Sequence, residues 1–293
     1  MADARNDALA AIEAALTGYP APAFRERLRR SLERSIRMTT AVSTSAVIPY
    51  VMTQDIEPVI AFAKNVFGAR EIVRGTGGAG GVHCELAIGS SVVMMGGAVP
   101  GEPVKPRLLG LHVYVDDVDS VYRRAVDAGG TSLGEPADRP YGERSGFVAD
   151  PAGNHWYIAT RTAPTYFATE PRTVTPHLYV QRTPERGAPE FLDFVQAAFG
   201  ATVDFRHATP EGFVAHAVFR INGEAVELGE GRDAAFAAPA ALVLHVNDAD
   251  GVYQQALEAG ARSLFAPSEQ RFGGRMGGVA DAWGNEWYIT SRT

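Results

Sequence analysis

The chain of 293 residues has one cysteine, Cys84. An intrachain disulfide is therefore excluded, and an unpaired thiol fits a reducing compartment. Cys84 lies in the alternating run VHCELAI, where a small buried side chain is expected and not a nucleophile. Long apolar runs are also missing: none approaches the roughly 18 residues that a membrane helix needs. The first ten residues, MADARNDALA, have neither the basic start nor the apolar centre of a secretory signal. A cytoplasmic protein with no membrane partner is the expectation. Positive charge is scarce too, with 27 Lys and Arg against 34 Asp and Glu and a net charge of -7. Nucleic acid needs a concentrated cationic face, so it is not expected as a partner. What is present is 46% apolar residues, enough for two ordinary cores, and 31 Gly and 18 Pro without a period, which point to short elements joined by tight turns.

Residues 1 to 40 read as a helical arm. Leu9, Ile12 and Leu16 follow helical spacing, GYPAP interrupts, and Phe24, Leu28, Leu32 and Ile36 recur every four residues. The second helix carries Arg25, Arg27, Arg29, Arg30, Arg34 and Arg37 against Glu26 and Glu33 alone. Its apolar stripe is expected to pack on the domains or on a second copy, giving a homodimer through these helices, while the arginines stay solvated. TTAVSTSA then serves as a polar linker.

The rest of the chain is a duplication. DPAGNHWYIATRT, from Asp150, matches DAWGNEWYITSRT, from Asp281, at eight of thirteen positions, an offset of 131. VYVDDVDSVYRRAVDAGGTSL, from Val113, lies over LHVNDADGVYQQALEAGARSL, from Leu244, at the same offset. Phe67-Gly68-Ala69 answers Phe199-Gly200-Ala201, and His83 answers His216. The copies span residues 46–162 and 174–293.

Each copy divides again into two modules of strand, helix and three strands. Gly68, Gly129, Gly200 and Gly260 stand where a left-handed helix stop is wanted, and Gly89-Ser90 and Asn222-Gly223 suit tight hairpins.

This ordered series resembles the vicinal oxygen chelate superfamily of glyoxalases, bleomycin-resistance proteins and dioxygenases, in its PhnB-like branch. The resemblance runs through a Pro-led first strand, a helix ending FGA, the strand HCELAIGSSVVMM, the unit VYVDDVDSVYRRAVDAGG, the PYGERSG loop and a final DPAGNHWYIAT. It covers nearly all of the first copy. The second matches with a five-residue insertion around RTPERGAPE, and the arm lies outside it. What it implies is an α+β protein of tandem glyoxalase-like domains, each two paired βαβββ modules in a curved open sheet that cups a small-molecule ligand or a divalent metal.

Members with a catalytic metal draw ligands from the first and last strands of each module. In the first copy those places fall on Tyr50, Met94, Gly110 and Tyr157, so no metal is expected there. In the second they fall on His177, Glu227, Ala241 and Tyr288, so His177 and Glu227 could hold a divalent ion if a third ligand completed the set. His245 is the candidate third member, although it lies four residues beyond Ala241, roughly 13 Å along a strand. Glu286 is expected to point away from Tyr288. The alternative is that His177 and Glu227 bond each other, or a ligand, in a polar cleft.

His83 and His216 are read as hydrogen-bonded core histidines. His112, Tyr157 and Tyr288 are candidates for substrate contact. Arg144 and Arg275 either clamp an anionic substrate or form ion pairs onto Asp150 and Asp281. Two functions stay open. One is a glyoxalase-like lyase or isomerase with chemistry in the second copy, using His177 and Glu227 and, as third member, His245. The other is a non-catalytic protein that binds an antibiotic, toxin or metabolite in an aromatic-lined cleft, as in resistance.

Overall fold

A computed structural model describes residues 46–77, 80–99, 101–104, 109–163, 172–231, 239–270 and 274–291. The predicted arm at 1–40, and with it the predicted dimer contact, lies outside them. Residues 44–293 form one unit.

The four modules stand in chain order. Module one holds β1 (Val47–Thr53), α1 (Glu57–Phe67), β2 (Arg70–Thr76), β3 (Val82–Ile88) and β4 (Ser91–Gly97). Module two holds β5 (Gly110–Tyr114), α2 (Val118–Asp127), β6 (Thr131–Arg139), β7 (Glu143–Ala149) and β8 (His155–Arg161). Module three holds β9 (Val174–Gln181), α3 (Ala188–Phe199), β10 (Thr202–Ala208), β11 (Val214–Ile221) and β12 (Glu224–Gly231). Module four holds β13 (Ala241–His245), α4 (Ala249–Glu258), β14 (Arg262–Glu269), β15 (Arg275–Ala280) and β16 (Glu286–Ser291).

Local chemistry sets the element ends. Asp117 and Asp248 cap α2 and α4, their carboxylates accepting from the backbone N–H of Ser120 and Gly251 at 3.1 and 3.0 Å. α1 and α3 stop at Gly68 and Gly200, both with φ +65°. The β11–β12 hairpin turns on Asn222-Gly223, both at positive φ, as its short loop requires.

The modules pair across the two copies. One eight-stranded sheet runs β14-β15-β16-β13-β1-β4-β3-β2, joining modules one and four, and the other runs β10-β11-β12-β9-β5-β8-β7-β6, joining modules two and three. At the seams β1 lies antiparallel to β13 and β5 antiparallel to β9. The expected half-by-half pairing is thus replaced by an exchange, in which each copy gives one module to each sheet.

The core ties the two sheets together, because each copy packs its own two modules across it. Helix α1 packs on α2, and α3 on α4. Trp156 of β8 lies against Phe62 and Phe67 of α1, at ring separations of 5.9 and 4.8 Å. Its counterpart Trp287 of β16 lies against Phe191 and Phe199 of α3, at 6.5 and 4.7 Å. Each fully buried indole contributes on the order of 4 kcal/mol of hydrophobic burial before entropy. The indole N–H groups end on Asp150 and Asp281 at 3.0 Å. Both sheets therefore press their inner faces on this core and leave their other faces to the clefts.

Candidate functional site

The two clefts can be compared position by position, because the strand registers correspond. In the sheet of modules two and three, His177 pairs with Glu227, and His112 with Tyr157. In the sheet of modules one and four the matching pairs are Tyr50 with Met94, and Val243 with Tyr288. The first set is polar. The second forms a small apolar cluster with Ile48 and Val92.

The polar set is assembled at the β5–β9 seam. Gly110 and His177 are directly opposed, and a Cβ on Gly110 would fall 2.7 Å from the His177 carbonyl oxygen. Only glycine lets the strands meet here, so Gly110 works as a spacer for the histidine and not as a failed ligand position.

Glu227 is the centre. One carboxylate oxygen, Oε2, lies 2.8 Å from His112 Nδ1 and 3.4 Å from His177 Nδ1, and the other, Oε1, accepts from the Tyr114 hydroxyl at 3.3 Å. The same hydroxyl lies 3.1 Å from Glu143 Oε1, so its single proton bonds one carboxyl or the other, and His112 Nε2 faces Glu143 Oε2 at 3.5 Å. Glu227, His112, Glu143 and Tyr114 thus close a ring. Its two carboxylates are buried, with side chains 1% and 0% exposed.

Such burial alone would favour neutral carboxyls. For Glu227 that push is outweighed by the charge and hydrogen bond of His112 and the bond from His177, which hold its carboxyl far below the usual carboxylate range. For Glu143 burial prevails and raises the carboxyl. Burial also opposes a charge on His112, but Glu227 and Glu143 overcome it and raise its pKa. His216, on β11, is pushed down to about 4 by burial, so it is neutral at ordinary pH. Burial raises the Tyr157 hydroxyl.

His177, His216 and Glu227 each offer a ligand atom, and the three atoms lie within 4.8 Å of one another. Two imidazoles and one carboxylate suit a borderline divalent ion and leave a coordination place open. Around them is a cavity of about 590 Å³ whose lining includes His112, Tyr141, Phe147, Tyr157, Tyr179 and Phe205.

The candidate residues divide accordingly. His177, Glu227, His112 and Tyr157 come together, with Tyr157 stacked on His177 at 5.1 Å. His245 and Tyr288 do not join them. Both lie in the other sheet, His245 beside Ala46 and Tyr288 beside Tyr50 at 5.7 Å. Module exchange is the reason, and His245 is corrected as third member of the set. Glu286 does not point away from Tyr288 but accepts from its hydroxyl at 2.7 Å, as alternate residues of a strand share a face.

Arg144 and Arg275 are also corrected. Arg144 forks onto Asp119 at 2.7 and 2.8 Å, and Arg275 onto Asp250 at 2.6 and 2.7 Å, tying β7 and β15 to the helices. Neither lines the cavity, and neither meets Asp150 or Asp281. Two residues of the site escaped the sequence reading: His216, read as a core histidine, and Glu143. Strand alternation puts Tyr114 on the face of His112, and the structure keeps it there. Nothing local pointed to Glu143.

Two mixed sheets of paired βαβββ modules around a His- and Glu-bearing cleft define a small-molecule protein of glyoxalase type. The chain belongs to the Glyoxalase/Bleomycin resistance protein/Dioxygenase superfamily, whose pattern it matches over residues 45–158 and 185–289. An uncharacterised protein of Mycobacterium tuberculosis strain H37Rv is 36% identical over 123 residues, which is 39% of this chain and 72% of that one. An uncharacterised protein of Mycobacterium bovis is equally identical over 81% of its length. Among solved structures, glyoxalase I from Zea mays superposes with a TM-score of 0.66 at 14% identity, over 84% of this chain and 92% of that one. A putative dioxygenase from Bacillus subtilis gives 0.56 at 13% identity, over 83% of each. At such identities the likeness is one of fold. Among the described residues no helix is long and apolar enough to cross a membrane.

Proposed function

We propose that the chain is a divalent-metal-dependent lyase or isomerase of the glyoxalase kind, acting in the cleft between modules two and three. The supporting observation is the convergence of His177, His216 and Glu227 within 4.8 Å at the floor of a 590 Å³ cavity. These residues would hold the ion through two imidazole nitrogens and a carboxylate oxygen. When bound, such an ion polarises oxygens of a substrate and stabilises the negative charge that develops on them.

The chain's own groups do the remainder. Tyr114 and His112 fix Glu227 from behind, as hydrogen-bonded partners of metal ligands commonly do. His112 lines the cavity between two carboxylates, so a proton is held near its ring nitrogens within reach of a bound molecule. Tyr157 and Phe147 give the ligand an apolar wall and restrict water. The alternative, a protein that only holds its ligand, is supported by that aromatic lining. The PhnB-like branch remains part of this proposal and rests on the motif series.

Elemental analysis of the purified chain tests the metal. About one divalent ion per chain is expected, and in chelator-treated protein Zn, Ni, Mn or Fe should raise Tm, by mass action about 2.7 kcal/mol at a hundred times Kd. Glu227→Ala should abolish that gain. No bound ion and no thermal gain with any of the four would remove the metal-dependent reading.

A further inference from the structure

We infer that the ligand of this cleft is a planar aromatic molecule without an anionic group. The inference rests on the reading that the cleft between modules two and three is the working site, and it applies equally to a substrate and to a ligand that is merely held.

Rings cross the cleft floor in a continuous row. Phe147 meets Tyr157 edge-on at 4.6 Å, Tyr157 stacks on His177 at 5.1 Å, His177 on His216 at 5.9 Å, and Phe205 ends the row 6.1 Å from His216. Both stacked pairs are tilted by only 27°. Five strands contribute to the row, at roughly 4.8 Å per strand spacing. The row therefore offers a shelf, not a single contact. A flat ring laid along it gains stacking beyond area burial, whereas a saturated molecule of the same volume gains area burial only.

Charge narrows the class. Among the described residues, none that lines the cavity is Lys or Arg. Three guanidinium groups lie nearby, and each is engaged: Arg161 lies over the Tyr114 ring at 4.3 Å. Arg182 donates to Glu230 and the Gly212 carbonyl, and Arg139 donates to Ser145 and lies over the outer ring of the row, Phe147, at 5.1 Å. At the centre of the floor Glu227 is already engaged by His112 at 2.8 Å, which leaves no free cation among the described lining residues. A carboxylate or phosphate entering this space would lose water and find no free counter-charge among the lining side chains, an unfavourable transfer. Phosphorylated and polycarboxylate ligands are excluded from the cleft without a bound ion on these grounds.

Calorimetric titration of the full, chelator-treated chain with three probes of one shape tests the inference: 2-naphthamide, 2-naphthoate and the fully saturated decalin amide. Naphthamide should bind at least tenfold tighter than naphthoate and several-fold tighter than the saturated amide. Tyr157→Leu and Phe205→Leu, each checked for folding by circular dichroism, should weaken naphthamide about three- to tenfold and leave the saturated amide nearly unchanged. Ala215→Lys, on the exposed rim of the cavity, should raise naphthoate affinity, since it supplies the missing counter-charge. Naphthoate binding as tightly as naphthamide, the saturated amide matching the aromatic one, or no binding by any probe would each overturn the inference. Metal uptake is measured apart from this panel. An aromatic preference in a chain that takes no metal upholds the inference while the metal reading falls, and metal uptake without the preference does the reverse.

Discussion

Glu227 and His112 lie 115 positions apart in the chain, on modules from different copies, yet their side chains meet at 2.8 Å with neither more than 8% exposed. The pair joins the copies at the same point where it builds the site. His112 is the base that separates two buried carboxylates, Glu227 on one ring nitrogen and Glu143 on the other.

His112→Leu keeps the volume and removes that base. Glu227 and Glu143 then face each other through Tyr114 with no compensating charge, and breaking a buried pair in this way costs about 3–5 kcal/mol. Urea denaturation should register that loss in full, against a smaller one for His177→Leu, whose partner Glu227 keeps its other bonds. A destabilisation by His112→Leu below about 1 kcal/mol would show that the ring is not a structural charge pair.

The duplicated DPAGN and DAWGN turns should behave alike. Asp281 accepts from the backbone N–H of Trp283 and Asn285, from the Asn285 amide and from the Trp287 indole, all at 2.9 to 3.0 Å. Asp150 does the same for Ala152, Asn154 and Trp156. Asp281→Ala and Asp150→Ala each strand several buried donors, at about 1–3 kcal/mol apiece. Each variant should lose more than about 2 kcal/mol in chemical denaturation, and the double variant should be unfolded or nearly so. A loss confined to one turn would mean that the copies carry unequal shares of stability.

His155, on β8, supplies a further pH dependence. It is half-buried, its ring stands edge-on to Tyr179 at 6.0 Å, and burial pushes its pKa below 6.5. The folded chain then binds fewer protons at this site than the unfolded chain. Its contribution to stability is complete above pH 6.5 and is lost as pH falls through the depressed folded value. Stability measured between pH 7 and 5 should decline less steeply in His155→Gln than in the parent, since the variant lacks this proton uptake. Identical slopes in the two proteins would refute the assignment. His216, held down to about 4, contributes with the same sign in both.

Local features were legible in the sequence because local rules determine them. The four modules, the stops at Gly68 and Gly200 and the Asn222-Gly223 turn follow from alternation, capping and φ preference. Module partnering was not legible, since β1 and β9 carry similar apolar alternation and either could pair with β5 as far as pattern goes. The choice belongs to the core, where Trp156 of module two must reach Phe62 and Phe67 of module one through the helices. That choice moved His245 and Tyr288 out of the site and brought in His112 with Glu143. His177 and Glu227 were found because they share one module and face each other in register, a relation that exchange leaves intact.

Module exchange also predicts how the chain responds to being split. Residues 46–163 alone would present β1 and β5 without their antiparallel partners β13 and β9, and residues 172–293 alone would expose the complementary edges. Unpaired central strands are templates for association. Neither piece should therefore be a folded monomer: by light scattering each should self-associate or aggregate. Co-expressed, the two should copurify in a one-to-one complex with a cooperative melt, because both seams, β1 with β13 and β5 with β9, reform between them. The split complex should also recover the Glu227-dependent metal response of the intact chain, since that site takes His177, His216 and Glu227 from the second piece and its supports His112 and Tyr114 from the first. A monomeric, cooperatively folded single piece would show that each copy can pair its own modules, and the exchange would then not be required by the sequence.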